Sequence, residues 1–172
     1  MYCKLCQKYS SHEEKNCPEG VDLWHGTRVN SLSEISMSKG LNPSPHNRRL
    51  GRGIYFTDKY SATGISHDKG EGSGVVVIGC RVWLGNTKNF GSSTGKNWHG
   101  QYDSASAIHP PWAGASTFTE YCLKDESRHC IKEVLLIGGV VNGEVHLPGV
   151  DIRILGNVTF NCNVTAGNLT LG

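Results

Sequence analysis

A short apolar run, Val75–Cys80, limits what this chain can fold into more than any other stretch. Glycine-rich residues 67–74 precede it and Gly85 follows it, and an apolar run of this length between turn signals is typical of a buried strand. Glycine contributes 22 of the 172 residues, and valine, isoleucine and threonine are frequent. This composition favours many short strands and tight turns over a helical bundle.

The size and charge of the chain narrow its class. The length corresponds to one domain with room for a small appendage, and a net charge of +2 is too small to indicate nucleic-acid binding by itself. No apolar run reaches 18 residues and the N-terminus lacks the apolar core of a signal peptide, so we expect no membrane span. We therefore predict an intracellular protein, cytoplasmic or nuclear, in which most of the seven cysteines are thiols or metal ligands.

The first 17 residues contain a candidate metal site with the spacing C-x2-C-x5-H-x4-C, formed by Cys3, Cys6, His12 and Cys17. Zinc takes four such ligands in a tetrahedron, and the polar residues between them could not order themselves without a metal. We predict a structural Zn²⁺. Two alternatives stay open: a disordered leader with reduced thiols, and a knuckle that stacks single-stranded nucleic acid on Tyr2 and Tyr9.

Two glycine-containing stretches, Leu23–Thr27 and Gly51–Phe56, each combine a reactive side chain with backbone that a ligand can approach closely. A helix is expected after the first stretch, with Ser31 and Glu34 as a capping box and Gly40 as its stop. A second helix is expected over 59–66, capped by Asp58. The intervening loop is basic, and its interpretation is open between a solvated surface and a flap near phosphates; the residues concerned are His46, Arg48, Arg49 and Arg52.

Three segments carry a resemblance to a known family. Leu23–Arg28 is similar to an L-[WY]-H-G-[ST]-R motif, Gly51–Phe56 to a G-x-G-[IVS]-Y-F motif, and Ile78–Asn86 to a strand that ends in Leu-Gly-Asn. Together they resemble the catalytic domain of the poly(ADP-ribose) polymerases and the related mono-ADP-ribosyltransferases. The resemblance covers about residues 21–137. It implies an α+β fold, the ADP-ribosyltransferase fold, in which two mainly antiparallel sheets pack together with a few short helices.

The resemblance also implies a catalytic triad, His25, Tyr55 and Glu120, in which Glu120 begins a segment similar to the E-Y-[IV]-[IV]-Y motif. Breaking the nicotinamide–ribose bond of NAD builds positive charge on the sugar, and a carboxylate such as that of Glu120 stabilises it. Tyr55 offers a ring for stacking, and His25 offers a hydrogen bond to a ribose hydroxyl. The other residues implied for NAD binding are Gly26, Thr27, Thr63, Ser61 and Arg52.

One position departs from the family pattern. The second stacking aromatic is expected three residues after Thr63, where this chain has Ser66, with His67 as a substitute. Only a short segment precedes Val21, so we expect no helical regulatory domain and no need for an activating partner. The acceptor is a macromolecule, with protein favoured over nucleic acid and mono-transfer over chain elongation. A catalytically weak NAD- or ADP-ribose-binding module, and a nucleic-acid tether with the domain as passenger, are the alternatives.

The last segment has its own pattern. Residues 157–165 alternate strictly, with apolar side chains at Val158, Phe160, Cys162 and Val164, as in strands with one buried face. A β-solenoid repeat and a hairpin both fit, and an unprotected edge predicts pairing with another chain or the continuation of a longer protein. We therefore divide the chain into a Cys/His-rich leader (1–20), a transferase domain (21–140) and a β-rich tail (141–172) that is solenoid-like or truncated and allows self-association.

Overall fold

The computed structural model describes residues 1–44 and 48–172, so the prediction made for His46 lies outside the described residues. Strands predominate. In chain order they are β1 (Tyr2–Cys3), β2 (Lys8–Tyr9), β3 (Val21–Thr27), β4 (Ile54–Phe56), β5 (Val75–Val82), β6 (Thr87–Asn89), β7 (Ser104–His109), β8 (Phe118–Leu123), β9 (His129–Asn142), β10 (Val145–Asn161) and β11 (Val164–Leu171). The α-helices are α1 (Leu32–Ser38) and α2 (Lys59–Lys69), and 3-10 turns lie at Glu14–Asn16, Val29–Ser31 and Glu126–Arg128.

Two sheets build the body of the described chain. A five-stranded sheet has the order β11-β10-β9-β5-β3, and a four-stranded sheet has the order β4-β8-β7-β6. The pairings β3–β5, β5–β9, β4–β8 and β7–β8 are antiparallel, whereas β6–β7 is parallel. This mostly β arrangement with two short helices is compatible with the predicted α+β class.

The predicted buried strand is confirmed as β5, and both of its faces are covered. Val76, Ile78 and Val82 belong to the main core between the two sheets, which α1 also joins. Val75 and Val77 face the other way and pack with Ala62 of α2. Burial on both faces explains why this strand is a continuous apolar run instead of an alternating one.

The two helices begin differently from each other. Asp58 caps α2 as predicted, because its carboxylate accepts a 2.8 Å hydrogen bond from the Ser61 N–H. The capping box predicted for α1 is not formed, since the Ser31 side chain makes no capping hydrogen bond. The left-handed residue that ends α1 is Lys39, one position before the predicted stop at Gly40.

The N-terminal leader is packed against the end of the five-stranded sheet. The Arg128 guanidinium donates a buried 2.8 Å hydrogen bond to the Leu5 carbonyl, and Arg81 donates two hydrogen bonds to the Cys17 carbonyl. Trp83 and Cys130 pack against the buried leader cysteines. These contacts join residues 1–20 to the sheet that carries the candidate site.

The C-terminal strands pair differently from the rest of their sheet. β9 pairs parallel with β10, as in Val134 beside Ile152, and β10 pairs parallel with β11, as in Val145 beside Val164. The paired residues are 17 to 19 positions apart. Consecutive strands of a hairpin pair antiparallel, so the hairpin predicted as one alternative for the tail does not describe these strands.

Candidate active site

A cavity of about 320 Å³ lies between the two sheets where β3, β4 and β8 approach one another. All three residues predicted for catalysis line it: His25 from β3, Tyr55 from β4 and Glu120 from β8. Of the other residues predicted to bind NAD, Gly26 is also in the lining. The tertiary fold therefore brings together residues that are 95 positions apart in the chain.

The side chain of His25 is held by the neighbouring strand. Its Nδ1 donates a 2.7 Å hydrogen bond to the Tyr55 carbonyl, which can only accept. Burial lowers the pKa of His25 to about 4, and the charge of Lys69 acts in the same direction. The imidazole is therefore neutral at pH 7, and its Nε2 carries a lone pair that can accept a hydrogen bond.

Gly26 presents its backbone N–H and C=O to the cavity. The backbone N–H and C=O of Trp24 both form hydrogen bonds with the backbone of Thr57. Thr57 lies on the side of β3 away from β5, so these two groups of Trp24 face away from β5. Backbone groups two residues apart in a strand face the same side, so the N–H and C=O of Gly26 also face away from β5. A Cβ at this position would overlap the Ala62 carbonyl oxygen of α2. Only glycine allows the helix to approach this closely.

The hydroxyl end of Tyr55 is fixed by two hydrogen bonds. Its hydroxyl donates to the Gly51 carbonyl and accepts a 3.1 Å hydrogen bond from the Leu50 N–H. Burial raises the pKa of the phenol well above its ordinary value, so the hydroxyl does not titrate near neutral pH. The Arg48 guanidinium lies 5.8 Å from the ring centroid. The ring is therefore a rigid wall of the cavity rather than an acid or base.

Glu120 lies opposite a cation. Its Oε2 is 3.8 Å from Nη1 of Arg49, and neither of these buried atoms has a hydrogen-bond partner among the described residues. Burial raises the pKa of Glu120, while the charges of His109, Arg49 and Arg48 act against that rise. The carboxylate side chain is 13% exposed, enough to meet a ligand without being freely solvated. Buried charged atoms that lack hydrogen-bond partners at a cavity wall are typical of a site that a ligand completes.

The remaining residues predicted for NAD binding lie outside this lining; they are Thr27, Ser61, Thr63 and Arg52. The Ser61 hydroxyl donates to Asp58 at the start of α2, and the Thr63 hydroxyl donates to the Lys59 carbonyl one turn earlier. Their assignment to NAD binding stays a prediction. Thr27 and Arg52 contribute backbone carbonyls that accept from Ser66 and His99, respectively.

Ser66 has a structural function in this protein. Its hydroxyl donates a 2.6 Å hydrogen bond to the Thr27 carbonyl and accepts a 2.8 Å hydrogen bond from the Val76 N–H. It thereby ties α2 to the ends of β3 and β5. His67, the substitute predicted from the sequence, is exposed and is not in the cavity lining.

Aromatic rings reach the cavity from a different element. His109 stacks on Phe118, with ring centroids 4.7 Å apart, and on Trp112, with centroids 5.5 Å apart. All three line the cavity that contains Tyr55, and they come from β7, β8 and the connection between them. The sequence signal for this connection was a single aromatic residue, Trp112, and no spacing rule related it to Tyr55.

A second depression, of about 730 Å³, opens on the other side of Glu120. It shares Arg48, His109, Trp112 and Glu120 with the first cavity and adds Arg49, Thr94, Lys96 and Pro111. Glu120 and the aromatic rings thus stand at the boundary between the two spaces. The predominance of cationic side chains in its lining suits an anionic group.

The leader brings its four predicted metal ligands together. The donor atoms of Cys3, Cys6, His12 and Cys17 all lie within 4.8 Å of one another, and the three cysteines are buried. Nε2 of His12 faces Sγ of Cys6 at 3.6 Å. Three thiolates and one imidazole are a donor set that zinc accepts in closed tetrahedral sites. The residues present therefore fit a structural zinc ion.

Comparison with known proteins identifies the family of this chain. The sequence model of one family, described as the poly(ADP-ribose) polymerase catalytic domain, matches residues 3–107. The match includes His25 and Tyr55 and ends before Glu120. A separate comparison with curated proteins found no match.

Proposed function

Because this chain belongs to the poly(ADP-ribose) polymerase catalytic-domain family, we propose that it transfers a single ADP-ribose unit from NAD to a protein acceptor and releases nicotinamide. The observation that carries this proposal is the meeting of His25, Tyr55 and Glu120 around one cavity. The match itself supports ADP-ribosyltransferase activity as the enzyme class and NAD as the substrate. The assignments of acceptor, of mono-transfer and of individual residues are our proposal.

In this proposal the cavity holds the nicotinamide ring and the ribose attached to it. The ring packs against Tyr55, and the carboxamide pairs with the N–H and C=O of Gly26, which have the donor and acceptor that an amide requires. The neutral His25 accepts a hydrogen bond from a ribose hydroxyl through Nε2. These contacts hold the scissile bond in one orientation, which supplies part of the rate acceleration.

Glu120 supplies the electrostatic part. As the bond between nicotinamide and C1 of the ribose breaks, the electron pair leaves with nicotinamide and the ribose acquires oxocarbenium character. A carboxylate at the cavity wall stabilises that positive charge, an effect worth about 3–4 kcal/mol, or 10²–10³ in rate. The incoming nucleophile then forms the new bond to C1 from the side of the second depression.

The second depression supports a protein carboxylate as the acceptor. Arg48, Arg49 and Lys96 line it, and guanidinium and ammonium groups pair with a carboxylate. A carboxylate needs no base, since its oxygen attacks C1 directly and the product ester is neutral. Neutral hydroxylamine would cleave the ester bond between ADP-ribose and the protein. The ADP-ribose label on macromolecules would disappear after protease treatment but not after nuclease treatment.

The decisive experiment compares labelling by isotope-tagged NAD in wild type, Glu120→Gln and Glu133→Gln. Glu133 is an exposed residue of β9, outside the cavity, and is the matched control. We expect Glu120→Gln to lose 10²–10³ in labelling rate while NAD still raises its melting temperature, and Glu133→Gln to label as wild type does. Equal labelling by wild type and Glu120→Gln would refute the assignment.

A second candidate function is NAD or ADP-ribose binding without efficient turnover. The contact between Arg49 and Glu120 favours it, because a cation 3.8 Å away offsets the negative charge that the transition state requires. Under this alternative NAD raises the melting temperature of both wild type and Glu120→Gln, and neither forms labelled product.

We also propose that the leader binds one Zn²⁺ through Cys3, Cys6, His12 and Cys17, and that the metal is structural. All four donors are protein side chains, which leaves no open coordination position for chemistry. The nucleic-acid alternative is less well supported. The leader lysines are paired with glutamates in Lys4–Glu14, Lys8–Glu19 and Lys15–Glu13, and this pairing offsets the positive charge that phosphate binding needs.

For the tail we propose coils of a β-solenoid that continue directly from β9. Parallel pairing of residues 17 to 19 positions apart suits stacked coils, and positive φ angles at Gly138, Gly143, Gly149 and Gly156 suit the corners between their faces. The inward-facing side chains become more exposed from β10 to β11. Ile152 of β10 is buried, whereas Leu169, its neighbour on β11, is 53% exposed.

We further propose that β11 pairs with β11 of a second copy. Residues 157–172 contain no charged side chain, so two such edges meet without repulsion. An antiparallel register centred on Thr170 would place Leu169 opposite Leu171 of the second copy and keep both leucines on the inward face.

The seven cysteines form no disulfide in the structure, and this suits the reducing intracellular compartment that we propose. No described helix is long and apolar enough to cross a membrane.

A further inference from the structure

Lys69 ends α2 and reaches the part of the cavity that the proposed function gives to the nicotinamide carboxamide. Its Nζ donates a 3.3 Å hydrogen bond to the Gly26 carbonyl. It lines the cavity that contains His25 and Tyr55, and also a separate depression of about 430 Å³ beyond it that includes Arg28. The ammonium therefore stands between two spaces, bonded to the backbone acceptor of the site.

The charge at this position is only partly compensated. Burial, together with the charges of Arg48 and Arg28, lowers the pKa of Lys69 to about 8, and the charge of Glu120 acts against that lowering. None of the ion pairs among the described residues includes Lys69. At pH 7 the group still carries its proton for most of the time, so a positive charge stands at the inner end of the cavity.

The position of Lys69 sets its distance from a bound amide. A carbonyl oxygen has two lone pairs, and two donors to one oxygen lie within about 6 Å of each other. A carboxamide N–H that bonds to the Gly26 carbonyl is therefore a close neighbour of the Lys69 ammonium. The ring attached to that amide is a pyridinium cation in NAD and a neutral pyridine once nicotinamide has left.

We propose that Lys69 is a specificity-determining residue of the nicotinamide subsite. Its positive charge makes the subsite favour a neutral ring over a cationic one. This inference rests on the proposed function, because it needs the ring in this cavity. Repulsion between the ammonium and the pyridinium raises the energy of bound NAD and is relieved as the carbon–nitrogen bond breaks and the ring takes the electron pair. Lys69 thereby weakens ground-state binding of NAD and favours departure of nicotinamide.

The test compares two probes that share the carboxamide ring and differ in charge, nicotinamide and 1-methylnicotinamide. The methyl group of the second probe stands where the ribose of NAD is attached. Dissociation constants are measured by calorimetry for wild type, Lys69→Met, Lys69→Arg and Lys59→Met. Lys59 lies at the other end of α2, outside the cavity lining, and its substitution is the matched control.

We expect wild type to bind nicotinamide more tightly than 1-methylnicotinamide, and Lys69→Met to reduce that preference about tenfold. Lys69→Arg, which keeps the charge, and Lys59→Met should keep the wild-type preference. In steady-state kinetics Lys69→Met should lower both KM for NAD and kcat, the pattern of relieved ground-state repulsion. The kinetic constants KM and kcat are measured for the same variants as the dissociation constants.

The outcomes separate the two hypotheses. If both probes compete with NAD for wild type and Lys69→Met leaves their preference unchanged, the inference about Lys69 is wrong while the NAD site stands. If neither probe competes with NAD, the ring does not occupy this cavity, and the proposed geometry fails together with the inference.

Discussion

The guanidinium of Arg49 lies 3.8 Å from the carboxylate of Glu120, and this contact favours the ionised form of the carboxyl group. Burial raises the pKa of Glu120, and Arg49 opposes that rise. Arg49→Met should therefore move the acidic limb of the pH–rate profile to higher pH. Lys96→Met, in the same depression, is the control, and a profile that shifts equally in both variants would contradict a specific contact.

Gly26 is predicted to tolerate no side chain. A Cβ there would overlap the Ala62 carbonyl, so Gly26→Ala must push α2 away from β3. We expect a loss of about 2–4 kcal/mol in the free energy of unfolding, measured in urea, together with loss of NAD binding. Gly100→Ala is the control, since a Cβ at Gly100 meets nothing within 4 Å, and its stability should stay within about 0.5 kcal/mol of wild type.

Acid should destabilise the fold through His129. Its Nε2 accepts a 2.9 Å hydrogen bond from the Leu41 N–H, and burial lowers its pKa to about 4. The unfolded chain, with a histidine pKa of about 6.5, binds more protons than the folded one between these values, so stability is present above that window and is lost as pH falls through it.

His129→Gln replaces the imidazole with a side chain that accepts and donates but does not titrate. Between pH 7.0 and 5.0, wild type should lose about 2 kcal/mol more of its unfolding free energy than His129→Gln does. Both proteins contain the same leader cysteines, so the effect of acid on these cysteines cancels when the two dependences of unfolding free energy on pH are compared. Parallel slopes for the two proteins would show that His129 does not contribute.

Metal removal should loosen the leader and the sheet end it packs against. Cys17→Ser removes one of the four donors, and we expect loss of bound zinc and a fall in melting temperature on the order of 10 °C. Cys162→Ser, in the tail and outside the cluster, is the control and should keep one zinc per chain by elemental analysis. Equal melting temperatures for Cys17→Ser and wild type would contradict a structural metal.

The tail edge gives a separate prediction. Leu169→Lys places a charge on the inward face of β11 and should convert an associated species to a monomer in light scattering. Thr159→Lys adds the same charge on an outward position of β10 and should leave the mass unchanged. If wild type is a monomer at every concentration tested, β11 does not pair with a second copy.

Several elements follow from local patterns alone. The strand β5 was predictable because both of its faces are buried, which makes Val75–Cys80 a continuous apolar run. The start of α2 was predictable because Asp58 bonds to a backbone N–H three residues away. The family was identifiable from three motifs whose residues are close in sequence. The capping box at Ser31 was not realised, because the 3-10 turn Val29–Ser31 leads into α1.

The site itself combines both kinds of information. The sequence by itself determined the candidates His25, Tyr55 and Glu120 and the four candidate zinc ligands of the leader, because short motifs set the chemistry of individual side chains. Only the tertiary structure decided which other groups share the cavity. Lys69 and Trp112 reach it through long-range packing of α2 and of the β7–β8 connection, and Ser66 is drawn away by two backbone hydrogen bonds. Such contacts depend on how the sheets and helix pack together, and no local spacing encodes that packing.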